Sequence, residues 1–497
     1  MLKILNAQQT KKADAYTIEH EPIKSIDLME RAARACADWL MNTADLENKQ
    51  IVVLCGMGNN GGDGLAIARM LKDNDVTVFE PSITENLSAE CEINLKKIQK
   101  TNIRIERMED LSDKHLNENT IVIDAMFGSG LNKVLEGEYK KAVQIINKSD
   151  SIIVSIDIPS GLYADVYTKP SNPVVRADYT LTFQSPKLSF FFPENEYYVG
   201  NWHVLPIGLH DKFMEKETVS NYYIEKEDVI SLLKPRARFS HKGTYGHALV
   251  IAGSKGKMGA AVLMAKACMR SGAGLVTAHI PDSGNTILQS AVPEVMLSLD
   301  TKKDYCARLP KLESYNALAM GCGIGNAEET CNMLKLLIQE AKVPLVLDAD
   351  ALNILAENKT WLSFLASGTI LTPHPKEFER LAGKWGDGFE RLELLKKFCQ
   401  KHKVYVVLKD AYSVTCTPSG NCYFNSTGNA GMATGGSGDV LTGIITGLLA
   451  QGYEPAEACI IGVYLHGLAG DIAVAKKSMQ SLIASDIIEY LGYAFKL

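Results

Sequence analysis

The chain lacks a strong charge bias, a paired-cysteine motif, a long apolar run and a Walker-type phosphate loop. Its 497 residues carry 52 basic and 58 acidic side chains, a net charge of −6, with no long basic run. Nothing electrostatic therefore points to nucleic acid or to an anionic membrane. The eleven cysteines stand singly, with no Cys-x-x-Cys, and several lie inside apolar runs. That is the pattern of reduced core thiols in a cytosolic protein, not of a disulfide frame or a zinc site. The N-terminus has no apolar signal-like core, and no apolar stretch reaches the ~20 residues that span a bilayer. The cytoplasm is the expected compartment, with no nucleic-acid or membrane partner. Internal repeats and low-complexity tracts are also missing.

What is present is a repeating α/β pattern. The length is too great for one hydrophobic core, so two or three domains are expected. Unbroken apolar runs at 51–54, 76–79, 120–123, 152–156, 248–251, 275–277, 345–347 and 404–408 alternate with helix-like segments. Such runs read as parallel strands buried on both faces. The stretch 195–245, rich in aromatics and charges, breaks the pattern. The most economical boundary lies between 210 and 225, giving domains 1–218 and 219–497.

After the first strand comes Cys55-Gly56-Met57-Gly58-Asn59-Asn60-Gly61-Gly62-Asp63-Gly64, followed by a helix pattern. Gly56, Gly58 and Gly61 fit a G-x-G-x-x-G turn, where missing Cβ atoms let backbone amides approach a pyrophosphate at a helix N-terminus. A tight structural turn is the alternative, but two amides and a carboxylate crowd a turn that glycine alone would make. Glu80 closes the next strand, where a ribose-binding acid or a merely solvated one would sit. Asp124-Ala125-Met126-Phe127-Gly128-Ser129-Gly130 and Asp157-Ile158-Pro159-Ser160-Gly161 follow two further strands. Ligands bind at the carboxyl ends of parallel strands, so these loops are expected to converge. Two carboxylates and a hydroxyl near Asn60 also suit a hard cation; the alternative is that each Asp caps a helix.

The second half carries Thr434-Gly435-Gly436-Ser437-Gly438-Asp439 before an apolar helix. Its glycines leave helix N–H groups aimed at an anion, and Asp439 enters in the first turn. Donors for developing charge beside a base for a hydroxyl serve phosphoryl transfer. A glycine-eased helix start with Asp439 as a cap is the alternative. Loops at 242–246, 253–256, 321–325, 372–377 and 409–413 adjoin other strands, and His374 and Glu377 lie in one of them.

The first half resembles the NAD(P)HX epimerase (YjeF N-terminal) family, through Leu28-Met29-Glu30-Arg31-Ala32-Ala33 together with the glycine and aspartate loops above. The resemblance implies a Rossmann-like three-layer domain. It further implies that Asn59, Asn60, Gly61, Gly62, Asp63, Gly128, Ser129, Gly130, Leu131, Asn132, Lys133, Val134 and Asp157 hold the hydrated cofactor. Asn60, Asp124 and Ser160 would bind K+. Epimerisation needs reversible C–O or C–N cleavage, and Asp157 is the expected acid–base group.

The second half resembles the ribokinase-like ADP/ATP-dependent NAD(P)H-hydrate dehydratase family. The resemblance is carried by His241-Lys242-Gly243-Thr244-Tyr245-Gly246, Asp348-Ala349-Asp350-Ala351-Leu352-Asn353, Thr372-Pro373-His374-Pro375-Lys376-Glu377, the Gly435–Asp439 turn and Leu465-His466-Gly467. It implies a three-layer ribokinase-like domain in which Met258, Ala260, Gly325, His374 and Asp439 contact the hydrate. Lys409, Asp410, Ala411, Tyr412, Ser413 and Gly438 would hold ADP or ATP, with Mg2+ on its phosphates and Asp439 catalytic. Where that family reads Gly-Met-Thr-Gly-Ala, this chain has Gly256-Lys257-Met258-Gly259-Ala260 and loses a threonine hydroxyl. NADHX, NADPHX and an adenine nucleotide are the expected partners, in a homo-oligomer. A ribokinase-type small-molecule kinase with an accessory nucleotide-binding domain is the alternative.

Overall fold

The computed structural model describes residues 1–43, 46, 49–82 and 86–497. It divides into two compact units. One comprises Lys3–Val219 with Asp387–Phe389; the other comprises Met1–Leu2, Ser220–Gly386 and Glu390–Leu497.

In the first unit seven parallel strands form one sheet. Their order is Arg104–Arg107, Asp75–Glu80, Gln50–Cys55, Thr120–Ala125, Ile152–Ile156, Tyr179–Phe183 and Asn201–Leu205. The central strands are apolar on both faces because helices cover both: Ile51, Val53, Ile121 and Ile123 belong to one core cluster, Val52, Leu54 and Val122 to another. Chain order reverses between Gln50–Cys55 and Thr120–Ala125, which opens a crevice at their carboxyl ends. The glycine loop and the Asp124 loop leave the sheet at that point.

The second unit repeats the winding. From His247–Ile251 the chain runs outward through Leu275–Ile280 to Met296–Leu299. It then crosses back to Ala317–Met320 and continues through Leu345–Leu347, Ile370–Leu371 and Tyr405–Leu408, all in parallel. An antiparallel ribbon, Val414–Cys416 and Cys422–Phe424, extends that edge and pairs with Asn221–Tyr223. Helix Ser437–Ala450 lies fully buried beyond its first turn. It reaches that depth because it is small on one side: a Cβ at Gly443 would meet the Met264 carbonyl at 2.3 Å, and one at Gly447 the Ser271 hydroxyl at 2.0 Å.

Three features depart from the sequence expectation. The stretch 195–245, where the sequence showed no strand-like run, supplies Asn201–Leu205 to one sheet and Asn221–Tyr223 to the other. Both strands are short and only partly buried, so neither shows an unbroken apolar run. The second sheet is also not wholly parallel, because the ribbon after Tyr405–Leu408 turns back. Finally, helix Pro455–Lys476 is by length and composition apolar enough to cross a membrane, but 67% of its apolar window is buried inside the unit. All eleven cysteines are free, and ten of them are buried.

Candidate functional sites

At the crevice of the first unit, helix Asn59–Met70 starts at Gly58 with no side-chain cap. Its first-turn amides are therefore left for an anion. Two of the glycines in this loop are explained by packing rather than by ligand approach. A Cβ at Gly56 would sit 1.8 Å from the Met126 carbonyl oxygen, and one at Gly61 would sit 1.9 Å from that of Gly56. Only Gly58 opens onto free space. Asn60 and Asp63 are buried just inside the helix, whereas Asn59 is exposed.

Asp124 is completely buried and its carboxylate is fully engaged. It accepts from the hydroxyls of Ser160 (2.6 Å) and Ser155 (2.8 Å) and from the amides of Ser160 (2.8 Å) and Met126 (3.3 Å). Burial raises its pKa even so, against these donors. The Ser160 hydroxyl in turn accepts from the Phe127 amide at 2.9 Å, which ties the two loops together. Asn60 reaches the same place, since a Cβ at Gly128 would lie 3.5 Å from its side chain and 3.2 Å from Asp157 Oδ2. The Asn60 amide nitrogen is buried with no hydrogen-bond partner among the described residues.

Asp157 follows its strand in a left-handed backbone conformation, φ +67°, which costs on the order of 1–3 kcal/mol and marks a position held by its surroundings. One carboxylate oxygen accepts from the Ser129 amide at 3.0 Å; the other pairs with Lys187 Nζ at 2.7 Å. Lys187 is buried and also donates to the Thr182 hydroxyl at 2.9 Å and the Ser185 carbonyl at 3.2 Å. Burial alone would raise the Asp157 pKa, but the Lys187 ammonium and its hydrogen bond hold the carboxyl below its usual range. Asp63 moves the opposite way, driven up well above that range by burial and then by Asp157 and Asp14. Asp14 itself is pushed up to about 6, by burial first and Asp157 second. A buried site thus holds one carboxyl low beside two held high, the condition under which base and acid roles separate.

In the second unit, helix Ser437–Ala450 begins after Gly436, itself left-handed at φ +92°, again with no side-chain cap. Asp439 sits in its first turn. Burial raises the Asp439 pKa; Cys322 lowers it by a hydrogen bond, and Asp348 raises it. The ligand atoms of Cys322, Asp348 and Asp439 all lie within 4.8 Å of one another. His466 Nε2 donates to the Ser437 carbonyl at the helix start (3.0 Å), and burial lowers its pKa to about 4, so it stays neutral. Lys409 reaches the same point and pairs with Asp348 at 2.9 Å.

Residues 25–189 match the family model described as YjeF-related protein N-terminus, and residues 248–492 match the model described as NAD(P)H-hydrate dehydratase. Over 99% of its length the chain is 35% identical to the bifunctional NAD(P)H-hydrate repair enzyme of Moorella thermoacetica, covering 96% of that protein. The chain belongs to the bifunctional NAD(P)H-hydrate repair enzyme family. Among solved structures, its second unit is similar to a ribokinase-like superfamily protein of Enterococcus faecalis V583, with 27% identity and a TM-score of 0.50 over 56% of this chain and 97% of that one. It is also similar to the ADP/ATP-dependent NAD(P)H-hydrate dehydratase of Bacillus subtilis co-crystallised with ATP and Mg2+, with 31% identity and a TM-score of 0.48 over 55% and 98%.

Within this repair-enzyme frame, the residues expected from sequence do not all lie alike. Gly128 and Ser129 adjoin Asp157, whereas Gly130 and Asn132–Val134 are exposed and Leu131 is half-buried. Gly325 is left-handed with open space at its Cβ, and its amide donates to Asp350 at 2.8 Å. Ala260 lies 3.1 Å from where a Cβ of Gly323 would be. The Met258 side chain turns into the core against Gly253 and Gly284, so only its backbone faces the loop. The His374 ring caps helix Pro375–Ala382 by accepting from the Lys376 amide at 3.1 Å. The 409–413 loop closes on itself: the Ala411 amide donates to Asp410 Oδ1, and Arg391 pairs with Asp410 Oδ2 at 2.6 Å. Glu80 pairs with Arg107 at 2.9 Å, and its second oxygen is buried without a partner among the described residues.

Sequence reasoning missed Asp14, Lys187, Asp348 and Thr442 as members of the two sites. Lys187 and Asp14 sit in no glycine-rich or strand-end motif. Their only sequence signal is a charge within otherwise apolar or helical surroundings.

Proposed function

We propose that the first unit epimerises R- and S-NAD(P)HX and that the second dehydrates S-NAD(P)HX to NAD(P)H at the expense of ADP or ATP. The observation that carries the second activity is the uncapped start of helix Ser437–Ala450 with Asp439 in its first turn. Hydroxide leaves a saturated ring carbon poorly, whereas phosphate leaves well. Asp439, raised by burial toward the strength a base needs, takes the hydroxyl proton as the oxygen attacks the terminal phosphoryl group. The amides after Gly436 stabilise the transferring charge. The ring-nitrogen lone pair then expels phosphate, leaving NAD(P)H, AMP (when ADP is the donor) and inorganic phosphate. Mg2+ fits this site as an ion carried by nucleotide phosphates, because the Asp348 carboxylate is already taken by Lys409 and Thr442.

In the first unit Asp157, kept ionised by Lys187, is the base, and Asp14 or Asp63, both held high, supply the proton. The base takes the proton of the ring hydroxyl while the C–N bond opens and the nitrogen is protonated; closure on the other face inverts the carbon. K+ belongs at Asn60, Asp124 and Ser160. The carboxylate, hydroxyl and carbonyl oxygens gathered around Ser160 suit a hard cation. The free, buried cysteines fit a reducing cytoplasm.

The test is incubation of the purified chain with NADHX and ADP or ATP. Return of the reduced-nicotinamide absorbance with stoichiometric free phosphate is expected; a stable phosphorylated product would sink the dehydratase reading. Epimerisation of isolated R-NADHX, followed chromatographically with and without potassium, tests the other half.

A further inference from the structure

We propose that Lys409 is the cation that neutralises the transferring phosphoryl group, and that the buried Asp348 is the positioning residue that aims it. This rests on the dehydratase reading above and assigns Lys409 a role beyond holding the nucleotide.

The lysine is held from its buried side. Lys409 follows strand Tyr405–Leu408, and its backbone amide is fixed to the Pro373 carbonyl at 2.9 Å. Its Nζ lies 2.9 Å from Asp348 Oδ1. The other Asp348 oxygen accepts from the Thr442 hydroxyl at 2.7 Å. Thr442 stands one turn beyond Asp439 on the same helix, so Asp348 couples the lysine to the element that carries the base. A Cβ at Gly438 would lie 3.2 Å from Lys409 Nζ and 3.7 Å from Asp348 Oδ2. The ammonium therefore lies directly against the helix's first turn.

That placement sets the cation against a helix end that itself attracts anions. The first turn is the positive end of a 14-residue helix with no capping side chain, and a cation beside it is repelled. Asp348 offsets part of this, but it sits on the buried side of Lys409, with 2% of its side chain exposed against 22% for the lysine. On its outer side the ammonium shares one space with the amides of 437–439 and the Asp439 carboxylate, so cation, helix donors and base converge there. A phosphoryl group transferring from nucleotide to hydroxyl carries the charge such a space accepts. Charge that develops during transfer is worth most in a fixed, dry site, and Asp348 supplies the fixing.

The experiment uses the full chain, S-NADHX and ADP or ATP. Lys409→Met is expected to lower kcat for dehydration about 10²- to 10³-fold, the usual cost of losing one transition-state donor, with nucleotide KM moving less than about tenfold. Asp348→Asn should lower kcat at least about tenfold with nucleotide KM nearly constant, and Lys409→Arg should restore part of the loss. Because Asp348 acts through Lys409, the double variant should be no slower than Lys409→Met alone. Wild-type kcat in Asp348→Asn would overturn the proposal, as would a purely KM effect or losses that multiply in the double variant. If Asp348→Asn does not fold, Thr442→Val carries the test, with a several-fold fall in kcat expected and an unchanged kcat counting against it. A wild-type chain that regenerates no NADH with either nucleotide would instead refute the dehydratase reading itself.

Discussion

Lys187→Met is the most revealing perturbation of the first unit, because it removes one partner of an ion pair that is all but inaccessible. Lys187 is 2% exposed and Asp157 8%, so solvent does little to screen the loss. Breaking such a pair from one side leaves a buried charge uncompensated and costs about 3–5 kcal/mol. The sign with pH follows from the direction of the shift. In the native protein the Asp157 carboxyl is held low, so its contribution is present above the unfolded value of about 3.9 and is lost as pH falls through the lowered native value. In Lys187→Met the cation is gone while burial, Asp14 and Asp63 remain, so the carboxyl moves up and the variant's deficit shrinks as pH falls. Hydrogen–deuterium exchange read on the peptide covering Ile152–Ile156 reports this locally. About two to four orders of magnitude of lost protection are expected at neutral pH, at 1.36 kcal/mol per decade, and less in acid. Epimerisation should fall, and dehydration of S-NADHX in the same sample serves as an internal control. Unchanged protection at neutral pH, or a deficit that grows in acid, would refute the reasoning.

Other outcomes follow from the same structure. Asp439→Asn should reduce dehydration about 10²- to 10⁴-fold while epimerisation of R-NADHX proceeds, measured as two separate rates on one preparation. Asp14, held up to about 6, costs the fold stability as pH rises between the unfolded carboxyl value of about 3.9 and its native one, so Asp14→Asn should raise the melting temperature of the first unit at pH values above the native one and leave it unchanged below both. Gly61→Ala places a Cβ 1.9 Å from the Gly56 carbonyl and should abolish epimerisation and the soluble first unit together, seen by limited proteolysis. Gly436→Ala meets both φ +92° and Leu263 at 2.5 Å; a fall in dehydration with a destabilisation of order 1–3 kcal/mol is expected, and an unperturbed rate would show that the left-handed turn is dispensable.

Much of the frame was already written in local sequence. Runs such as Ile51–Leu54 and Val404–Leu408 are apolar on both faces, a pattern that only strands covered on both sides tolerate, and glycine turns after them mark where ligands meet backbone amides. The Gly435–Asp439 turn announces an anion site because a missing cap and a first-turn acid are local properties. Edge strands such as Asn201–Leu205 escaped, since half-exposed residues alternate without a distinctive run. The glycine loop at 56–64 was legible as a loop but not as packing: that Gly56 is required by the Met126 carbonyl is set by strands far apart in sequence. Tertiary structure alone decided which charges face each other. The Asp157 carboxyl is held low because Lys187 arrives from beyond the next strand, and Asp348 meets Lys409 because two strand ends and one helix converge. A pKa and an ion pair depend on distance through a low-dielectric interior, and sequence spacing carries no such distance.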